Sequence, residues 1–222
     1  MNLLRTLLLF KNYLLRRYAT NSFAQEGEDL ILARIFEGQK TGFYVDVGAH
    51  HPLRFSNTYL LYRRGWRGIN IDANPGSKAA FDLIRPRDQN LELGIAGSAV
   101  TSTFYVFDEP AINTFDPKIA KHNIKVGYRL LKTQKIPLLT LSTILRKYLI
   151  GKTIDLLSID VEGLDAAVIH SMDWRYKPKV IVVEALGSDL ENIHKAKIYQ
   201  LITKHGYHLF AKTANSLIFL IK

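Results

Sequence analysis

The feature that most constrains the fold is an alternation of short apolar runs with stretches of helical periodicity. The predicted strands are Phe43–Val47, Gly68–Ile71, Leu91–Ile95, Thr101–Phe107, Ile154–Ile159, Val180–Val183, Tyr207–Ala211 and Leu217–Ile221. The predicted helices are Ser22–Phe36, Ser56–Arg64, Lys78–Ile84, Leu141–Leu149, Leu164–Met172 and Leu190–His205. Strands that alternate with helices predict a mostly parallel sheet that is covered by helices on both faces.

The end of the chain departs from this pattern. The last two predicted strands are joined around Ala214 and Asn215, a turn too short for a parallel crossover, so one of them must run antiparallel. The predicted fold is therefore α/β and Rossmann-like, with a mostly parallel seven-stranded sheet that contains one antiparallel strand. Residues 21–222 are expected to form a single domain.

Charge and cysteine content limit the possible classes of protein. The 222 residues carry a formal net charge of +10 and include no cysteine. A disulfide framework, a zinc–thiolate site and a cysteine nucleophile are thus excluded, and a reducing, cytoplasmic location is expected. A positive field attracts polyanions. No RNP-like aromatic motif, zinc finger or long Lys/Arg tract accompanies it, so nucleic acid is not the predicted partner.

Residues 1–20 predict a basic amphipathic helix. Most of the leucines share one broad helical face, and Arg5, Arg16 and Arg17 lie on the other, while Leu9 and Lys11 break the pattern. No small-residue cleavage site follows, so a signal peptide is not predicted. Two interpretations remain open. The helix lies on an anionic membrane surface as a peripheral contact, or it packs on its own domain or on a second subunit.

The turn after the first strand predicts a ligand site. Asp46 and Gly48 lie at the end of that strand, and Asp72 ends the second strand. Ligands of doubly wound folds bind outside the carboxyl ends of the strands, and a carboxylate at the end of the second strand accepts hydrogen bonds from ribose hydroxyls. Glycine in the turn lets the backbone approach a ligand closely. These residues predict an adenosine site.

The same turn favours one adenosine ligand over another. A dinucleotide site requires G-x-G-x-x-G facing a pyrophosphate, whereas Gly48 is followed here by Ala49, His50, His51 and Pro52. S-adenosylmethionine has no phosphate and carries positive charge, which Asp46 could neighbour. The turn therefore argues against NAD and for S-adenosylmethionine.

At this point the sequence resembles the FkbM-type family of S-adenosylmethionine-dependent methyltransferases. The matching segments run in order over most of the chain: SFAQEGEDLIL, FYVDVGAHHP, FSNTYLLYRRGWRGINIDANP, PLLTLSTIL, IDLLSIDVEGLDAAVIHSMDW and PKVIVVE. The resemblance weakens between Val100 and Lys135, and the N-terminal helix lies outside it. It implies a Rossmann-like fold and methyl transfer to a hydroxyl oxygen, often of a sugar or another small metabolite.

The resemblance also implies a set of cofactor contacts. These would be Gln25, Glu28, Asp46, Gly48, Ala49, His50, Asn57, Thr58, Asp72, Asn74, Ala96 and Asp160. Several have simpler interpretations, because Gln25 could cap a helix and Asn57 and Thr58 could satisfy the amides at the start of theirs.

Carboxylates after the predicted strand Ile154–Ile159 indicate the catalytic region. Asp160 and Glu162 follow an apolar strand, and Glu184 ends the next one. Methyl transfer to a hydroxyl needs alignment of the reactants and removal of a proton, which a carboxylate or a histidine can accept. Asp160, Glu162, Glu184 and His51 are the catalytic candidates, and His50 is an alternative base. A magnesium ion held by the three carboxylates is a minority interpretation, because the chain has no D-x-D cluster.

The stretch from Ala111 to Lys135 carries six lysines and arginines against one acid, Asp116. Its place before the predicted strand Ile154–Ile159 would let it cover an acceptor site, and its charges would favour an anionic acceptor. A solvated surface explains the charges equally well. The main prediction is O-methylation of a glycan or a related small molecule. The alternatives are a nucleic-acid or protein methyltransferase, and a membrane-associated scaffold without turnover.

Overall fold

A computed structural model describes residues 3–14, 19–161, 163–187 and 189–222. The strands are β1 (Phe43–Val47), β2 (Arg67–Asp72), β3 (Gln89–Glu92), β4 (Gly94–Ile95), β5 (Val100–Phe107), β6 (Leu130–Leu139), β7 (Leu156–Ile159), β8 (Val180–Glu184), β9 (Tyr207–Lys212) and β10 (Ser216–Ile221). The helices are α1 (Leu3–Leu14), α2 (Glu28–Ile35), α3 (Tyr59–Arg63), α4 (Ser77–Ile84), α5 (Pro117–Lys125), α6 (Leu141–Tyr148), α7 (Asp165–His170) and α8 (Lys197–Thr203). Short 3₁₀ turns lie at Pro110–Ile112 and Ile193–Lys195.

The main sheet has seven strands in the order β3-β2-β1-β7-β8-β10-β9. Strands β3, β2, β1, β7 and β8 pair in parallel, and β10 pairs antiparallel with both β8 and β9. The predicted Rossmann-like sheet with one antiparallel strand is thus confirmed. The strand order reverses beside β1, between β1 and β7, and this switch point is where such folds bind ligands.

Both faces of the sheet are buried, which explains the unbroken apolar strands. Val45, Leu157 and Ile181 face a core that includes α6, α7 and α8. Their neighbours Leu156 and Val182 face the opposite core, to which α2 and α3 contribute. Successive side chains point to opposite faces of a strand, so a strand covered on both sides must be apolar throughout.

A second sheet of three strands, in the order β4-β6-β5, lies next to the first. Strand β6 pairs antiparallel with β5 along nearly its whole length. The sequence predicted β5 but no helix or strand between Ala111 and Lys135. This was wrong, because the stretch contains helix α5 and the start of β6. The β6 sequence LLKTQKIPLL has four polar residues together and does not alternate, so it lacks the signal of a half-buried strand.

Several predicted helices are shorter in the structure, and the first and the last of them differ most. The first was expected to begin at Ser22, but α2 begins at Glu28 after Gly27, whose φ of 86° is left-handed. Ser22 therefore lies before the helix, and its hydroxyl donates to Asp29 Oδ1 at 2.6 Å. The last helix was expected over Leu190–His205, but regular helix is confined to α8, because the preceding residues form the 3₁₀ turn.

Helix α1 covers 12 residues of the N-terminal segment, Leu3–Leu14. Residues 15–18 lie outside the described part of the chain, so the predicted extension to Tyr18 is not tested. Within the described ranges, no helix is long and apolar enough to cross a membrane.

Candidate functional site

A cavity of about 310 Å³ opens where the carboxyl ends of β1, β2, β7 and β8 meet. This volume lies in the range of small-molecule sites, about 300–1,000 Å³. Ten of the residues predicted from the sequence line it: Gln25, Asp46, Gly48, Ala49, His50, Asn57, Asp72, Asn74, Asp160 and Glu184. The fold therefore brings together residues that lie far apart in the chain.

Gly48 is the first residue after β1 and begins the turn that follows this strand. Its φ is +79°, and its N–H donates to the carbonyl oxygen of Ile71 at 2.9 Å. A Cβ at this position would lie 1.6 Å from the backbone oxygen of Asp160. Only glycine fits both the left-handed conformation and this contact with the end of β7.

The carboxylate of Asp72 connects two loops that line the cavity. Its Oδ2 accepts from the backbone N–H of His50 at 2.7 Å, and its Oδ1 accepts from the backbone N–H of Asn74 at 2.7 Å. Burial raises the pKa of Asp72 to about 6, against the lowering effect of these two hydrogen bonds. Carboxylate oxygens have further lone pairs, which remain suited to a ligand's hydroxyl groups.

Behind the cavity, Asp46 belongs to a buried polar network. Thr58 Oγ1 donates to Asp46 Oδ2 at 2.6 Å, and Arg85 Nη1 donates to the same Thr58 oxygen at 2.8 Å. Burial raises the pKa of Asp46, whereas the Thr58 hydrogen bond and the Arg85 guanidinium oppose that rise. Thr58, predicted as a cofactor contact, thus supports Asp46 from behind and is not among the lining residues.

Arg85 is fully buried and holds the loop after the first turn. Its guanidinium donates to the Pro52 carbonyl through Nε at 2.9 Å and Nη2 at 2.6 Å, and to Ser56 Oγ at 2.6 Å. It also reaches Asn70 Oδ1 at 3.2 Å. The planar fork of arginine suits several acceptors that lie around it. Sequence reasoning missed this residue, because a lone arginine at a helix end is typical of an exposed one.

We expect Arg85→Lys to lower the free energy of unfolding by about 2 kcal/mol, because a lysine leaves some of these buried acceptors unsatisfied. Urea denaturation followed by circular dichroism measures the change. Arg87→Lys is the matched control. Arg87 is exposed and donates to the Tyr62 carbonyl at 2.7 Å, so a change below about 0.5 kcal/mol is expected there. Equal effects of the two substitutions would contradict the role given to Arg85.

The β5–α5 segment closes one side of the cavity. Phe104, Pro110, Ala111, Ile112, Asn113 and Phe115 line it. The side-chain amide of Asn113 donates to Asn74 Oδ1, which ties this segment to the loop after β2. Sequence reasoning missed all of these residues. The alternation in β5 indicated one buried face, but nothing in the sequence indicated what that face covers.

Carboxylates and amides line the opposite side. Gln25, Asn57, Asp160, Glu184 and Asn215 meet there. Asn57 donates to Ser158 Oγ at 3.1 Å. A small adjoining recess is lined in addition by Glu26 and Glu28, and Glu26 accepts from both the backbone and the side-chain amide of Asn215 at 2.7 and 2.6 Å.

The two histidines of the first turn have different surroundings. His51 Nδ1 accepts from the backbone N–H groups of Leu53 and Arg54 at 3.0 Å each, so His51 caps this turn and the structure does not bring it into the cavity lining. His50 lines the cavity with a left-handed φ of 53°. Among the described residues, neither of its ring nitrogens has a hydrogen-bond partner although both are buried. Burial, and then the charge of Arg54, lower the pKa of His50.

Other predicted residues lie elsewhere. Ala96 lies outside the lining, and its N–H donates to the Leu139 carbonyl at 2.9 Å, whereas Gly94 and Ile95 line the cavity. Glu28 accepts from Thr213 Oγ1 at 2.7 Å and lines the recess only. Glu162 lies outside the described residues. In the part of the chain that is described, no three acidic or histidine side chains group as metal ligands.

None of the six bases between Lys118 and Lys135 lines the cavity, nor does any other described lysine or arginine. The stretch covers the site through the segment that precedes these bases. Its lysines therefore lie outside the lining that a bound acceptor would meet.

Comparison with known proteins identifies one family model. The model described as "Methyltransferase FkbM domain" matches residues 46–209. No curated protein sequence matches the chain at a significant level.

Three solved structures are similar in outline. A TehB-like SAM-dependent methyltransferase from Corynebacterium glutamicum is 11% identical, with a TM-score of 0.45 and 100% of each chain covered. A putative RNA methyltransferase from Pyrococcus horikoshii is 9% identical, with a TM-score of 0.46 and coverage of 87% of this chain and 80% of that one. A precorrin-6y C5,15-methyltransferase from Geobacter metallireducens is 13% identical, with a TM-score of 0.38 and coverage of 92% and 93%.

Proposed function

Because this chain belongs to the FkbM methyltransferase family, whose cofactor is S-adenosylmethionine, we propose that it transfers a methyl group to a hydroxyl oxygen of a sugar or a related small molecule. The methyltransferase activity follows from the family. The acceptor and the atom that is methylated are the proposal, and the lining of the cavity supports them.

The described residues fit this cofactor. Asp72 and Asn74 would hold the ribose, and Gly48 leaves room against the end of β7 for a close approach. The cavity is lined by Asp46, Asp160 and Glu184 and by no described lysine or arginine, which suits a cation and not a pyrophosphate. When bound, the cofactor supplies an electrophilic methyl group on a sulfonium.

The observation that carries the acceptor proposal is the mixture of carboxylates and amides at Gln25, Asn57, Asp160, Glu184 and Asn215. Such groups donate to and accept from hydroxyls, and the two carboxylates would repel a phosphate or a carboxylate. A neutral polyhydroxylated acceptor is therefore favoured over an anionic one.

Among the candidate bases, His50 is favoured. Burial lowers the pKa of His50, which favours the neutral imidazole that can take a proton, and its ring nitrogens have no hydrogen-bond partner in the described part of the chain. The imidazole would accept the proton that the acceptor hydroxyl loses when it is methylated. Asp160 and Glu184 would orient the acceptor.

The test is methyl transfer with a radiolabelled methyl donor and a panel of neutral glycosides, sugar phosphates, RNA and peptides. We expect label in a neutral glycoside, as an alkali-stable ether. His50→Gln is expected to lower kcat about 100-fold with unchanged binding of S-adenosylhomocysteine. Labelling of RNA or peptides instead of a glycoside would refute the proposed acceptor. A requirement for a phosphate on the acceptor would refute its neutral charge, and full activity of His50→Gln would refute the role of His50 as the base.

A further inference from the structure

Helix α1 exposes an unusual amount of apolar surface. The side chains of Leu7, Leu8 and Phe10 are 52–61% exposed, and Tyr13 is 76% exposed. A helix of 12 residues is marginally stable in water by itself, because helix nucleation is unfavourable and packing supplies most helical stability. A surface that covers these side chains would stabilise α1.

The charges around α1 indicate what that surface is. Residues 1–25 contain four bases and no acid. Lys11 follows Leu7 and Leu8 at helical spacing, so it lies on the apolar face. Burying Lys11 against a second copy of this segment would bring like charges together without an acidic partner. At a lipid surface, a lysine can extend its ammonium to the headgroups while its stem stays among apolar side chains.

A second segment has the same chemistry. The turn at residues 121–132, from the end of α5 to the start of β6, exposes Ile124, Val126, Tyr128 and Leu131. The same residues include four lysines and arginines and no acid, and the whole range from 117 to 154 contains nine bases and no acid. Phosphates of a nucleic acid would pair with these bases, but they would gain nothing from the exposed aliphatic side chains.

This turn lies beside the cavity. Helix α5 begins two residues after Phe115, which lines the cavity. A Cβ on Gly163 would lie 2.7 Å from Ile119 Cδ1, so α5 also contacts the loop that follows β7. A surface that covers the turn would therefore stand close to the β5–α5 segment of the cavity and to the loop that follows β7.

We propose that the chain binds an anionic lipid bilayer peripherally through α1 and the 121–132 turn. Apolar side chains would enter the boundary between headgroups and acyl chains, and the lysines and arginines would contact anionic headgroups. The proposal does not depend on the acceptor or on catalysis.

Vesicle flotation of the full chain tests it. We expect binding to vesicles of phosphatidylcholine and phosphatidylglycerol in equal parts, weaker binding at high salt, and little binding to phosphatidylcholine alone. Leu7→Gln with Phe10→Gln should lower the partition coefficient at least about tenfold, given the apolar area removed. Lys125→Glu with Lys132→Glu should lower it about fivefold or more for each charge.

Two controls match these variants. Leu83→Gln replaces a leucine of α4 that is 78% exposed, and Lys204→Glu reverses an exposed charge beyond α8. Both should bind the vesicles as the unchanged chain does. Binding of S-adenosylhomocysteine, measured in every variant, should stay unchanged and shows that each variant is folded.

Three results would overturn the proposal. The first is a chain that binds S-adenosylhomocysteine but not the anionic vesicles. The second is a dimer, seen by light scattering, that the Leu7 and Phe10 substitutions convert to a monomer, which would assign α1 to a contact between copies. The third is normal flotation of the Lys125 and Lys132 variant, which would remove the turn from the contact.

Discussion

Asp72→Asn is expected to weaken binding of S-adenosylhomocysteine about 100-fold while the chain stays folded. Two hydrogen bonds from ribose hydroxyls to a charged acceptor contribute about 1.5 kcal/mol each or more, and 1.4 kcal/mol is a tenfold change in affinity. An asparagine keeps the shape of Asp72 but loses its charge and one acceptor oxygen. Isothermal titration calorimetry measures the effect directly.

A matched control lies on the neighbouring strand. Glu92 ends β3, is exposed, and accepts from the backbone N–H groups of Gly76 and Lys78 at 3.0 and 3.3 Å, as Asp72 does from its own two amides. It does not line the cavity. Glu92→Gln should therefore leave binding within about threefold. If Asp72→Asn also binds within threefold, the assignment of the ribose site to the end of β2 is incorrect.

The raised pKa of Asp72 predicts that a fall in pH weakens binding of S-adenosylhomocysteine but increases the contribution of Asp72 to the stability of the fold. Because burial raises this pKa to about 6, Asp72 becomes protonated in the folded chain as the pH falls through about 6. Binding of S-adenosylhomocysteine should weaken over the same range, by at most about tenfold per pH unit. The folded state holds this proton more tightly than the unfolded chain, so its contribution to stability rises as the pH falls from about 6 to about 4. In Asp72→Asn, both of these contributions should be absent.

The contrast between Asp72 and Asn113 shows what could be predicted from the sequence. Asp46, Gly48 and Asp72 follow short apolar strands, and the carboxyl ends of parallel strands share one edge of a sheet, so their meeting could be predicted without the structure. Asn113 reaches the same cavity through a hydrogen bond to Asn74, 39 residues earlier in the chain. That contact depends on how β5 and β6 pair and where they lie, which local periodicity does not encode.

Arg85 and His51 show a second limit of prediction from the sequence. The sequence can indicate at which edge of the sheet a residue lies, but not which groups surround its side chain. The sequence placed His51 at the correct edge, but two backbone N–H groups engage its ring, and this follows from the exact path of residues 51–54. The burial of Arg85 requires Pro52 and Ser56, from the loop after β1, to meet Asn70 of β2. Residue type and spacing indicate which groups lie at an edge, while the three-dimensional arrangement decides which of them face the ligand.

Gly48→Ala is expected to lower the free energy of unfolding by more than about 4 kcal/mol, or to prevent folding. Substitutions of this severity are exceptional and need a named cause. The cause here is twofold. A left-handed alanine costs about 1–2 kcal/mol, and the added Cβ would lie 1.6 Å from the backbone oxygen of Asp160, which cannot move aside as a flexible side chain can. The N–H of Asp160 donates to the Val47 carbonyl at 2.9 Å, so moving this oxygen away disturbs the pairing of β1 with β7.

Gly38→Ala separates the two causes. Gly38 has a φ of +86°, and a Cβ there would meet nothing within 4 Å. Its substitution should cost only the left-handed conformation, about 1–2 kcal/mol, with unchanged binding of S-adenosylhomocysteine. Urea denaturation of both variants gives the difference, which is the part due to the contact with Asp160. An alanine at position 48 that is as stable as the one at position 38 and still binds S-adenosylhomocysteine would show that the turn can move away from β7. In that case the close approach at Gly48 would not define the site, and recognition of the cofactor would rest on Asp72 and its two backbone partners.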